Sequence, residues 1–367
     1  MRIVLTGGGT GGHIYPAIAV GKYLAEQNPD TKLLYIGTTR GLESKVVPEH
    51  AIDFEAIEIT GFRRSLSLEN FKTIMRFFKG VKRSKQLLKE FEADAVVGTG
   101  GYVCGPVVYA AAKLGIPTFI HEQNAIPGLT NKFLSQYASA VGVSFEQSLT
   151  QFPKAKRIDY TGNPCATNVL STRKGEGLLS LGLARDKKLV LMVGGSRGAR
   201  AFNDAMLELG SKLDRFRDYH FLFVTGELYY ESTIAKLKES GILAARNLTV
   251  TPYLHNMAAV LRDSVLAISR SGASSLAEMS ALGLPSILIP SPNVTNNHQE
   301  ANARSFVEAG AAEMILEKDL TGDSLLEQLT ELLKSEDKLA RMAEASKRLA
   351  VPDSAQRIVK VLQSIEK

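Results

Sequence analysis

The sequence predicts an α/β protein of two Rossmann-like domains whose parallel sheets face a central cleft. At residues 2–24 a short apolar run, a glycine-rich turn and a helical run follow one another. The same succession returns at residues 188–213, in the second half of the chain. A chain of 367 residues is long enough to build two hydrophobic cores. Because both halves open with the same strand, turn and helix, we expect two domains of one design.

The composition, with 44% apolar and 22% charged residues, is that of a water-soluble globular protein. No apolar run is long enough to span a bilayer, and Met1 leads directly into the first predicted strand, so we expect a cytoplasmic chain without a signal peptide. The two cysteines lack the spacing of a metal or redox motif and are expected to be reduced. The net charge of +6 favours phosphate-bearing or anionic lipid partners. Without an RNA-binding or zinc-finger motif, no nucleic-acid partner is expected.

In the first domain, which we place at residues 1–164, short apolar runs predict the strands. They lie at residues 3–6, 33–37, 52–59, 95–97, 118–120 and 140–143, and the run that ends at Thr161 completes the sheet. The first helix is expected over residues 14–27, and a second helix begins near residue 43. The polar stretch 167–176 is the predicted linker.

Residues 68–91 have the pattern of a basic amphipathic helix, with a break expected near Gly80. One face carries the large apolar residues Phe71, Ile74, Phe78 and Val81. Two interpretations stay open. The apolar face belongs to the core and the basic face to solvent, or the helix meets a membrane together with the preceding loop residues Phe62, Arg63 and Arg64. Both hold if only part of the apolar face is buried.

The second domain is placed at residues 165–351, and its strands are again short apolar runs. They lie at residues 189–193, 221–224, 248–250, 265–268 and 286–290. Helices are expected to begin near residues 199, 257 and 276, and the chain is mostly helical from residue 320. Pro352 interrupts this run, and we expect the C-terminal helix, residues 352–367, to pack back on the first domain.

Turns rich in glycine or serine follow four of the strands, at residues 7–12, 98–101, 194–198 and 271–275. Glycine lets the backbone approach a ligand closely, and the N–H groups and dipole at a helix start attract an anion such as phosphate. A single turn of this kind can also serve only to pack a helix on a sheet. Because such a turn occurs four times in the chain, we favour ligand binding over packing alone.

Two residues are candidates for a general base. His13 follows the first turn at a helix N-terminus, which favours the neutral imidazole, although a capping role is the alternative. Glu122 is the rival, because it follows a strand at the edge where parallel sheets bind ligands. The choice between them stays open from the residues.

The second domain carries candidate groups for a nucleotide sugar. Glu278 lies one turn into a helix, where a carboxylate can accept hydrogen bonds from a ribose diol or merely complement the helix dipole. His298 and Gln299 lie in a polar loop whose amide suits sugar hydroxyls, although an ordinary surface loop has the same composition. No metal-binding constellation is visible and no cofactor is expected. A departing diphosphate is then stabilised by backbone amides and helix dipoles.

Seven motifs occur in an order that is specific to one family: Gly8-Gly9-Thr10-Gly11-Gly12-His13, Gly98-Thr99-Gly100-Gly101-Tyr102, His121-Glu122-Gln123-Asn124, Thr161-Gly162-Asn163-Pro164, Gly194-Gly195-Ser196-Arg197-Gly198-Ala199-Arg200, Arg270-Ser271-Gly272-Ala273 and Asn296-Asn297-His298-Gln299. With them the whole chain closely resembles the MurG family of glycosyltransferase family 28, the N-acetylglucosaminyltransferases of bacterial peptidoglycan synthesis. The resemblance implies a GT-B fold. It implies an inverting transfer of N-acetylglucosamine from UDP-GlcNAc to the C4 hydroxyl of the muramyl sugar of lipid I, which gives lipid II.

The resemblance further implies that the second domain binds UDP-GlcNAc and the first binds the lipid-linked acceptor. It implies peripheral attachment to an anionic surface, the cytoplasmic face of the inner membrane, and other cell-wall synthesis proteins as partners. The residues it assigns to UDP-GlcNAc are Thr10, Gly11, Gly12, Asn124, Ser196, Leu254, Ala273, Ser274, Ser275, Glu278, His298 and Gln299. It assigns Tyr102 and Asn203 to the acceptor, and His13 or Glu122 to catalysis. The residues assigned to the membrane are Phe62, Arg63, Arg64, Phe71, Ile74 and Phe78.

Within the assignments, Ser196 contacts phosphate, the backbone of Leu254 reads uracil and Glu278 binds ribose. The chain departs from some members at two positions. Ala166 stands where an arginine lies near uracil, and His298 stands where a glutamine holds the sugar. Tryptophan is absent, so a membrane patch must consist of Phe, Ile and Met.

Other functions remain open from the residues. A nicotinamide-dependent oxidoreductase needs a ribose-binding acid about 20 residues beyond the first turn, where Thr38 and Thr39 offer none. A noncatalytic scaffold could bind lipid and nucleotide without turnover. A UDP-sugar epimerase or a glycolipid glycosyltransferase of the same fold is the alternative among enzymes.

Overall fold

The structure is a computed structural model of the chain, and it describes residues 1–61, 68–195, 198–242 and 247–365, with the side chains of residues 68–72 left aside. The chain divides into two compact units. The first contains residues 1–167 and 353–367, and the second contains residues 168–352.

The first unit is built on a parallel sheet with strand order β3-β2-β1-β4-β5-β6-β7. Its strands are β1 (Arg2–Thr6), β2 (Lys32–Gly37), β3 (Asp53–Ala56), β4 (Ala95–Gly98), β5 (Thr118–Glu122), β6 (Ala140–Val143) and β7 (Ile158–Tyr160). Its helices before the second unit are α1 (Gly11–Gln27), α2 (Glu43–Val46), α3 (Leu68–Glu90), α4 (Cys104–Leu114), α5 (Leu129–Leu134) and α6 (Cys165–Val169), the last of which extends two residues beyond the unit boundary. The order reverses beside β1, so the loops after β1 and β4 lie at the position where such sheets bind ligands.

The second unit repeats this design with strand order β10-β9-β8-β11-β12-β13, and all pairs are parallel. Its strands are β8 (Lys188–Val193), β9 (Tyr219–Val224), β10 (Leu248–Thr251), β11 (Ser264–Ser269), β12 (Ser286–Leu288) and β13 (Ala312–Met314). Its helices are α7 (Glu176–Ser180), α8 (Arg200–Gly210), α9 (Tyr230–Glu239), α10 (Met257–Asp263), α11 (Ala273–Leu282), α12 (His298–Glu308), α13 (Gly322–Leu333) and α14 (Glu336–Arg348). Two parallel sheets confirm the predicted fold class.

The C-terminal helix α15 (Ser354–Ile365) belongs to the first unit. Its apolar residues Ile358 and Leu362 are fully buried in the same core as Ile14 of α1 and Leu5 of β1. The helix therefore covers one face of the first sheet, and the other face packs on α3 and α4 through a separate core. In the described ranges, no helix has the length and apolar content that crossing a bilayer requires.

Two predicted helix starts were wrong for identifiable reasons. Helix α1 begins at Gly11 rather than near residue 14, because the Thr10 carbonyl accepts from the N–H groups of His13 and Ile14. Helix α11 likewise begins at Ala273 rather than near residue 276, with Gly272 as its N-cap. Glycine and serine carry low helix propensity, but both are common in the first turn of a helix.

The break expected near Gly80 is also absent, since α3 is continuous from Leu68 to Glu90. Gly80 is buried where α3 meets α4, and a Cβ placed on it would lie 3.2 Å from Pro106 Cβ. The glycine therefore permits close packing of two helices and does not interrupt the first of them. The predicted linker over residues 167–176 contains the end of α6 and the start of α7.

Candidate active site

The two glycine turns of the first unit meet at the carboxyl ends of the neighbouring strands β1 and β4. Gly8 N donates to Gly100 O over 3.2 Å, and Thr99 Oγ1 donates to His13 O over 2.6 Å. Gly101 has a positive φ of 82°, and a Cβ there would lie 2.2 Å from Gly8 O. Only glycine fits such an approach, so the two turns form one rigid, glycine-lined edge.

His13 lies on this edge with a defined hydrogen-bond direction. Its Nδ1 is 2.9 Å from Gly8 O. A carbonyl oxygen can only accept, so we assign the proton of the neutral ring to Nδ1. The lone pair is then on Nε2, on the side of the ring where a Cβ of Gly100 would lie 3.1 Å from that nitrogen. The imidazole is thus in the tautomer that can take a proton on Nε2.

Glu122, at the end of β5, is buried and accepts four hydrogen bonds. Its Oε1 accepts from Asn124 N and Nδ2 over 3.0 and 3.2 Å. Its Oε2 accepts from Gly128 N over 3.0 Å and from Asn131 Nδ2 over 2.9 Å. Two carboxylate oxygens offer about four acceptor positions in all, so these donors use the capacity of the group. The arrangement fixes the turn that follows β5 and orients Asn124.

Beneath this turn, residues of two of the sequence motifs form a polar cluster whose contacts the sequence did not show. His121 Nε2 is 2.8 Å from Gly162 O and therefore carries the proton, while Nδ1 accepts from Gln123 Nε2 over 3.0 Å. Burial lowers the pKa of His121 to about 4, so the ring is neutral at pH 7. The cluster connects the turn after β5 to the turn after β7. Two of the sequence motifs, those around His121 and Gly162, therefore have a structural role.

In the second unit, hydrogen bonds to α12 fix the backbone just before the N-terminus of α11. Ser271 is fully buried and donates from Oγ to Gln299 O over 2.8 Å. Asn302 Nδ2 donates to Ser271 O over 3.1 Å. The N-cap, Gly272, has no side chain to accept from the first N–H groups of the helix. The N–H groups of Ala273, Ser274 and Ser275 and the helix dipole therefore form the kind of helix start that attracts anions, and this start remains the predicted anion site.

Glu278 lies further along α11, on the same helix as this anion site. It is partly buried, and burial raises the pKa of its carboxyl to about 7. A carboxyl with such a pKa is half ionised under physiological conditions, so ligand binding can shift its ionisation. Perturbed carboxyls of this kind are typical of binding and catalytic sites.

The turn before α12 and the first two residues of that helix present polar groups in a fixed orientation. His298 and Gln299 begin α12 and do not lie in the loop that the sequence predicted. Asn296 and Asn297 both have positive φ angles, 55° and 48°, which asparagine tolerates better than most residues. His298 Nδ1 donates to Thr295 O over 2.7 Å, so its lone pair is on Nε2. Gln299 Oε1 accepts from Ser291 N over 2.9 Å, which leaves the two Nε2 hydrogens to donate. The two side chains offer one acceptor and one amide donor.

The remaining predicted site residues lie in different environments. Leu254 follows β10 and is almost completely buried, as is Ala166 in α6. Tyr102 is exposed in the first unit, whereas Asn203 is buried in α8 of the second and donates from Nδ2 to Thr225 O over 2.9 Å. The two residues assigned to the acceptor thus belong to different units. Ser196, Phe62, Arg63 and Arg64 lie outside the described residues, as does the side chain of Phe71.

Helix α3 carries an apolar face that is only partly buried. Val81 is buried, but Ile74 is 43% and Phe78 63% exposed. Ile74 and Phe78 therefore do not belong to the hydrophobic core, contrary to the first of the two interpretations of this helix. Phe133 of α5 extends the exposed surface and packs edge-on against Phe77.

Two family models cover most of the chain. The glycosyltransferase family 28 N-terminal domain matches residues 3–143, and the family 28 C-terminal domain matches residues 189–358. Two curated relatives carry the name UDP-N-acetylglucosamine--N-acetylmuramyl-(pentapeptide) pyrophosphoryl-undecaprenol N-acetylglucosamine transferase. The protein of Bacillus licheniformis is 52% identical over 366 residues, 100% of this chain and 99% of its own length. The protein of Bacillus subtilis is 51% identical over 367 residues, 100% of both chains.

Solved structures agree with this similarity. The crystal structure of Acinetobacter baumannii MurG matches with a TM-score of 0.77 and 30% identity over 99% of both chains. A UDP-GlcNAc 2-epimerase from Neisseria meningitidis, bound to UDP-GlcNAc, matches with a TM-score of 0.73 but only 15% identity, over 99% of this chain and 100% of that one. The second likeness concerns the fold alone.

Proposed function

The chain belongs to glycosyltransferase family 28, and on that premise we propose that it transfers N-acetylglucosamine from UDP-GlcNAc to undecaprenyl-pyrophosphoryl-MurNAc-pentapeptide, lipid I. The product is lipid II, the precursor used in peptidoglycan synthesis. The observation that carries the proposal is identity of about half of all residues, over the full length, to relatives named for this transfer. The chain is accordingly a hexosyltransferase.

The second unit offers groups that suit each part of the donor. The uncapped N-terminus of α11 suits the diphosphate, because its N–H groups and dipole favour negative charge. Glu278, on the same helix, suits the ribose diol, since a carboxylate accepts from both hydroxyls. Gln299 Nε2 and His298 Nε2 suit the sugar hydroxyls as donor and acceptor. Leu254 is the proposed uracil contact.

The chemical step is a direct displacement at the anomeric carbon of the donor sugar. The acceptor C4 oxygen forms the new bond to C1 as the bond from C1 to the UDP oxygen breaks, and the hydroxyl proton passes to His13 Nε2. The electron pair leaves with UDP, whose diphosphate charge is stabilised by the α11 amides. A single displacement inverts the configuration at C1.

The hydrogen bonds favour His13 over Glu122 as the base. The neutral tautomer of His13 places a lone pair on Nε2. Each oxygen of Glu122 already accepts two hydrogen bonds, and protonating it would break at least one of them inside a buried site. Glu122 is better suited to hold Asn124, the residue assigned to the donor's N-acetyl group.

A transfer assay tests the proposed reaction directly. With radiolabelled UDP-GlcNAc and a lipid I analogue, we expect label in the disaccharide product and release of one UDP per transfer. UDP-GalNAc should react much more slowly, since the sugar-binding groups distinguish the C4 hydroxyl. Reactions without acceptor serve as the control. Conversion of UDP-GlcNAc to an epimer without acceptor, or no transfer at all, would contradict the proposal.

Peripheral attachment to the cytoplasmic face of the inner membrane is proposed on the exposed side chains of α3. Ile74 and Phe78 are apolar and exposed, and Arg76 and Lys79 on the same helix are exposed cations suited to anionic lipid. The resemblance also assigns Phe62, Arg63, Arg64 and Phe71 to the membrane, but the first three and the side chain of Phe71 lie outside the described residues. Other cell-wall synthesis proteins are proposed as partners by family membership only.

Replacing Phe78 with serine is expected to weaken binding to phosphatidylglycerol-containing vesicles roughly tenfold, because a buried aromatic side chain contributes about 1.5–3 kcal/mol. Cosedimentation measures the effect, and transfer to a soluble acceptor analogue should stay unchanged. Leu228→Ser is the matched control, since Leu228 is 79% exposed in the second unit. Equal binding by the Phe78 variant and wild type, or an equal loss in the Leu228 control, would count against the surface.

A further inference from the structure

A buried acid that has no part in the mechanism above lies behind the first glycine turn. Glu43, at the start of α2, is fully buried. Its Oε1 accepts from Thr38 N over 3.2 Å and from Thr38 Oγ1 over 2.7 Å, and its Oε2 accepts from Gly9 N over 3.3 Å. All three groups are placed to donate, and the two oxygens of the Glu43 carboxyl accept from them.

The contact with Gly9 connects Glu43 to His13 through a single peptide group. The N–H of the Gly8–Gly9 peptide donates to Glu43 Oε2, and the C=O of the same peptide accepts from His13 Nδ1 over 2.9 Å. We propose that Glu43 is a positioning residue for His13, acting through this peptide as an aspartate does in direct contact with a catalytic histidine. The inference rests on the proposed role of His13 as the base.

The physical effect follows from the polarity of a peptide group. A carboxylate at the N–H end draws positive charge toward itself and increases the negative charge on the carbonyl oxygen, so hydrogen bonds in such a chain strengthen one another. The carbonyl of Gly8 then holds the Nδ1 proton more firmly, which keeps the lone pair on Nε2. When Nε2 takes a proton, the same dipole and charge stabilise the imidazolium.

The close approach depends on glycines around the carboxyl. A Cβ on Gly41 would lie 2.1 Å from Glu43 Oε1, and a Cβ on Gly8 would lie 2.8 Å from the same atom. Gly9 has a positive φ of 85°, which directs its N–H to the carboxylate at no steric cost. Glycine at these three positions therefore lets the Glu43 carboxyl approach the turn closely, a role separate from the binding of a phosphate.

Two other titratable groups lie near Glu43, and neither supplies charge. Tyr35 donates its hydroxyl proton to Gly7 O over 2.7 Å, and burial raises the pKa of this phenol well above its usual value. Burial raises the pKa of the Cys104 thiol to about 12. Both groups stay protonated near neutral pH, so neither of them adds negative charge behind the turn.

The variant E43Q tests the inference, because glutamine keeps the shape but removes the charge and replaces one of the two acceptor oxygens with an amide N–H₂. The backbone N–H groups of Thr38 and Gly9 can only donate, so one oxygen cannot serve both as the carboxyl does. We expect kcat to fall roughly 10- to 100-fold, as for other supporting residues of this kind, with the KM for UDP-GlcNAc within about twofold. In ¹⁵N spectra of labelled histidine, the His13 ring should change from one Nδ1–H tautomer to a mixture. Glu49→Gln, an exposed acid six residues further along the chain in the turn after α2, is the matched control.

A double-mutant cycle separates positioning from a general structural role. If Glu43 acts through His13, E43Q should cost nothing further in the H13A background, whereas additive losses would overturn the inference. If H13A lowers kcat while E43Q keeps the wild-type kcat, the role of Glu43 is refuted and the role of His13 is not. A wild-type rate for H13A would refute the base assignment itself, and the inference with it.

Folding of the variant is checked by thermal unfolding and by UDP binding to the second unit. Should E43Q not fold, T38V carries the test, because it removes only the hydroxyl donor to Glu43 Oε1. We expect T38V to lower kcat about three- to tenfold, with no further loss in the H13A background. An unchanged kcat in T38V would then overturn the inference.

Discussion

Replacing His13 with alanine is expected to lower kcat about 10²- to 10⁴-fold, the usual contribution of a general base. The affinity for UDP-GlcNAc should change by less than about twofold, since no group assigned to the nucleotide is removed and lost proton transfer affects the transition state alone. Transfer rates and calorimetric titration with UDP-GlcNAc measure the two quantities separately. Because the alanine leaves a space beside Gly100, added imidazole should restore part of the rate.

His50→Ala is the matched control for this variant. His50 is also in the first unit, but it lies at the end of a short helical turn after α2, where its N–H donates to Val47 O. We expect its turnover to equal that of the wild type. Near-wild-type turnover in His13→Ala, or no response to imidazole despite a large loss, would reject the assignment of His13 as the base.

The rival assignment makes a different prediction at the same site. If Glu122 were the base, its Gln variant would lose turnover while the His13 variant kept most of it. The structure leads us to expect instead that Glu122→Gln lowers both turnover and stability, because one of its four donors would face an amide N–H₂. Comparing the unfolding temperature of the two variants separates a support role from a chemical one.

The fold and the family could be predicted from the sequence because their signals are local. Short apolar runs followed by glycine turns fix the order of strands and helices without knowledge of distant contacts. The ordered motifs identify glycosyltransferase family 28, which the family models and the full-length relatives confirm. The errors occurred at residues of low helix propensity. Gly11 begins a helix because the Thr10 carbonyl accepts from the first turn, and Gly80 is kept in a helix by its packing against α4.

The supporting residues of the candidate site could not be predicted in the same way. Glu43 meets Gly9 across 34 positions of sequence, and from its neighbours it resembles an ordinary first-turn acid of a helix. The choice between His13 and Glu122 likewise depends on which donors reach each side chain. Asn131, one of those donors for Glu122, lies in a helix whose sequence shows no sign of this contact. Only the three-dimensional contacts reveal such roles.

Replacing Glu278 with glutamine is expected to weaken UDP-GlcNAc binding roughly 10- to 100-fold, since hydrogen bonds to a charged acceptor contribute about 1.5–3 kcal/mol each. The loss should shrink for a donor that lacks the ribose 2′-hydroxyl, because one of the two proposed contacts is then missing already. Glu308→Gln, an exposed acid in the same unit, is the matched control. Unchanged donor titration in the Glu278 variant would reject the ribose role.

The raised pKa of Glu278 adds a dependence on pH with a definite sign. A diol donates to the ionised carboxyl, so binding must displace the proton that the free enzyme holds below a pKa of about 7. The affinity for UDP-GlcNAc, whose diphosphate has no group that titrates near neutral pH, should therefore rise with pH by up to about tenfold per unit below this value and level off above it. Calorimetry in buffers of different ionisation enthalpy should detect proton release that approaches about one per UDP-GlcNAc in the acidic range. In Glu278→Gln both effects should vanish.

The raised pKa of Glu278 also affects the stability of the free protein, which should fall with rising pH while nucleotide affinity rises. Between the ordinary carboxyl pKa of 4.5 and about 7, the folded chain holds a proton on Glu278 that the unfolded chain has released. The free energy of unfolding contributed by this group therefore falls as pH rises through that window. UDP should offset the loss, because it binds the ionised carboxyl in the folded state only. A wild-type protein whose pH profile of stability matched that of Glu278→Gln, with and without UDP, would show that this carboxyl is not the one that binds the nucleotide.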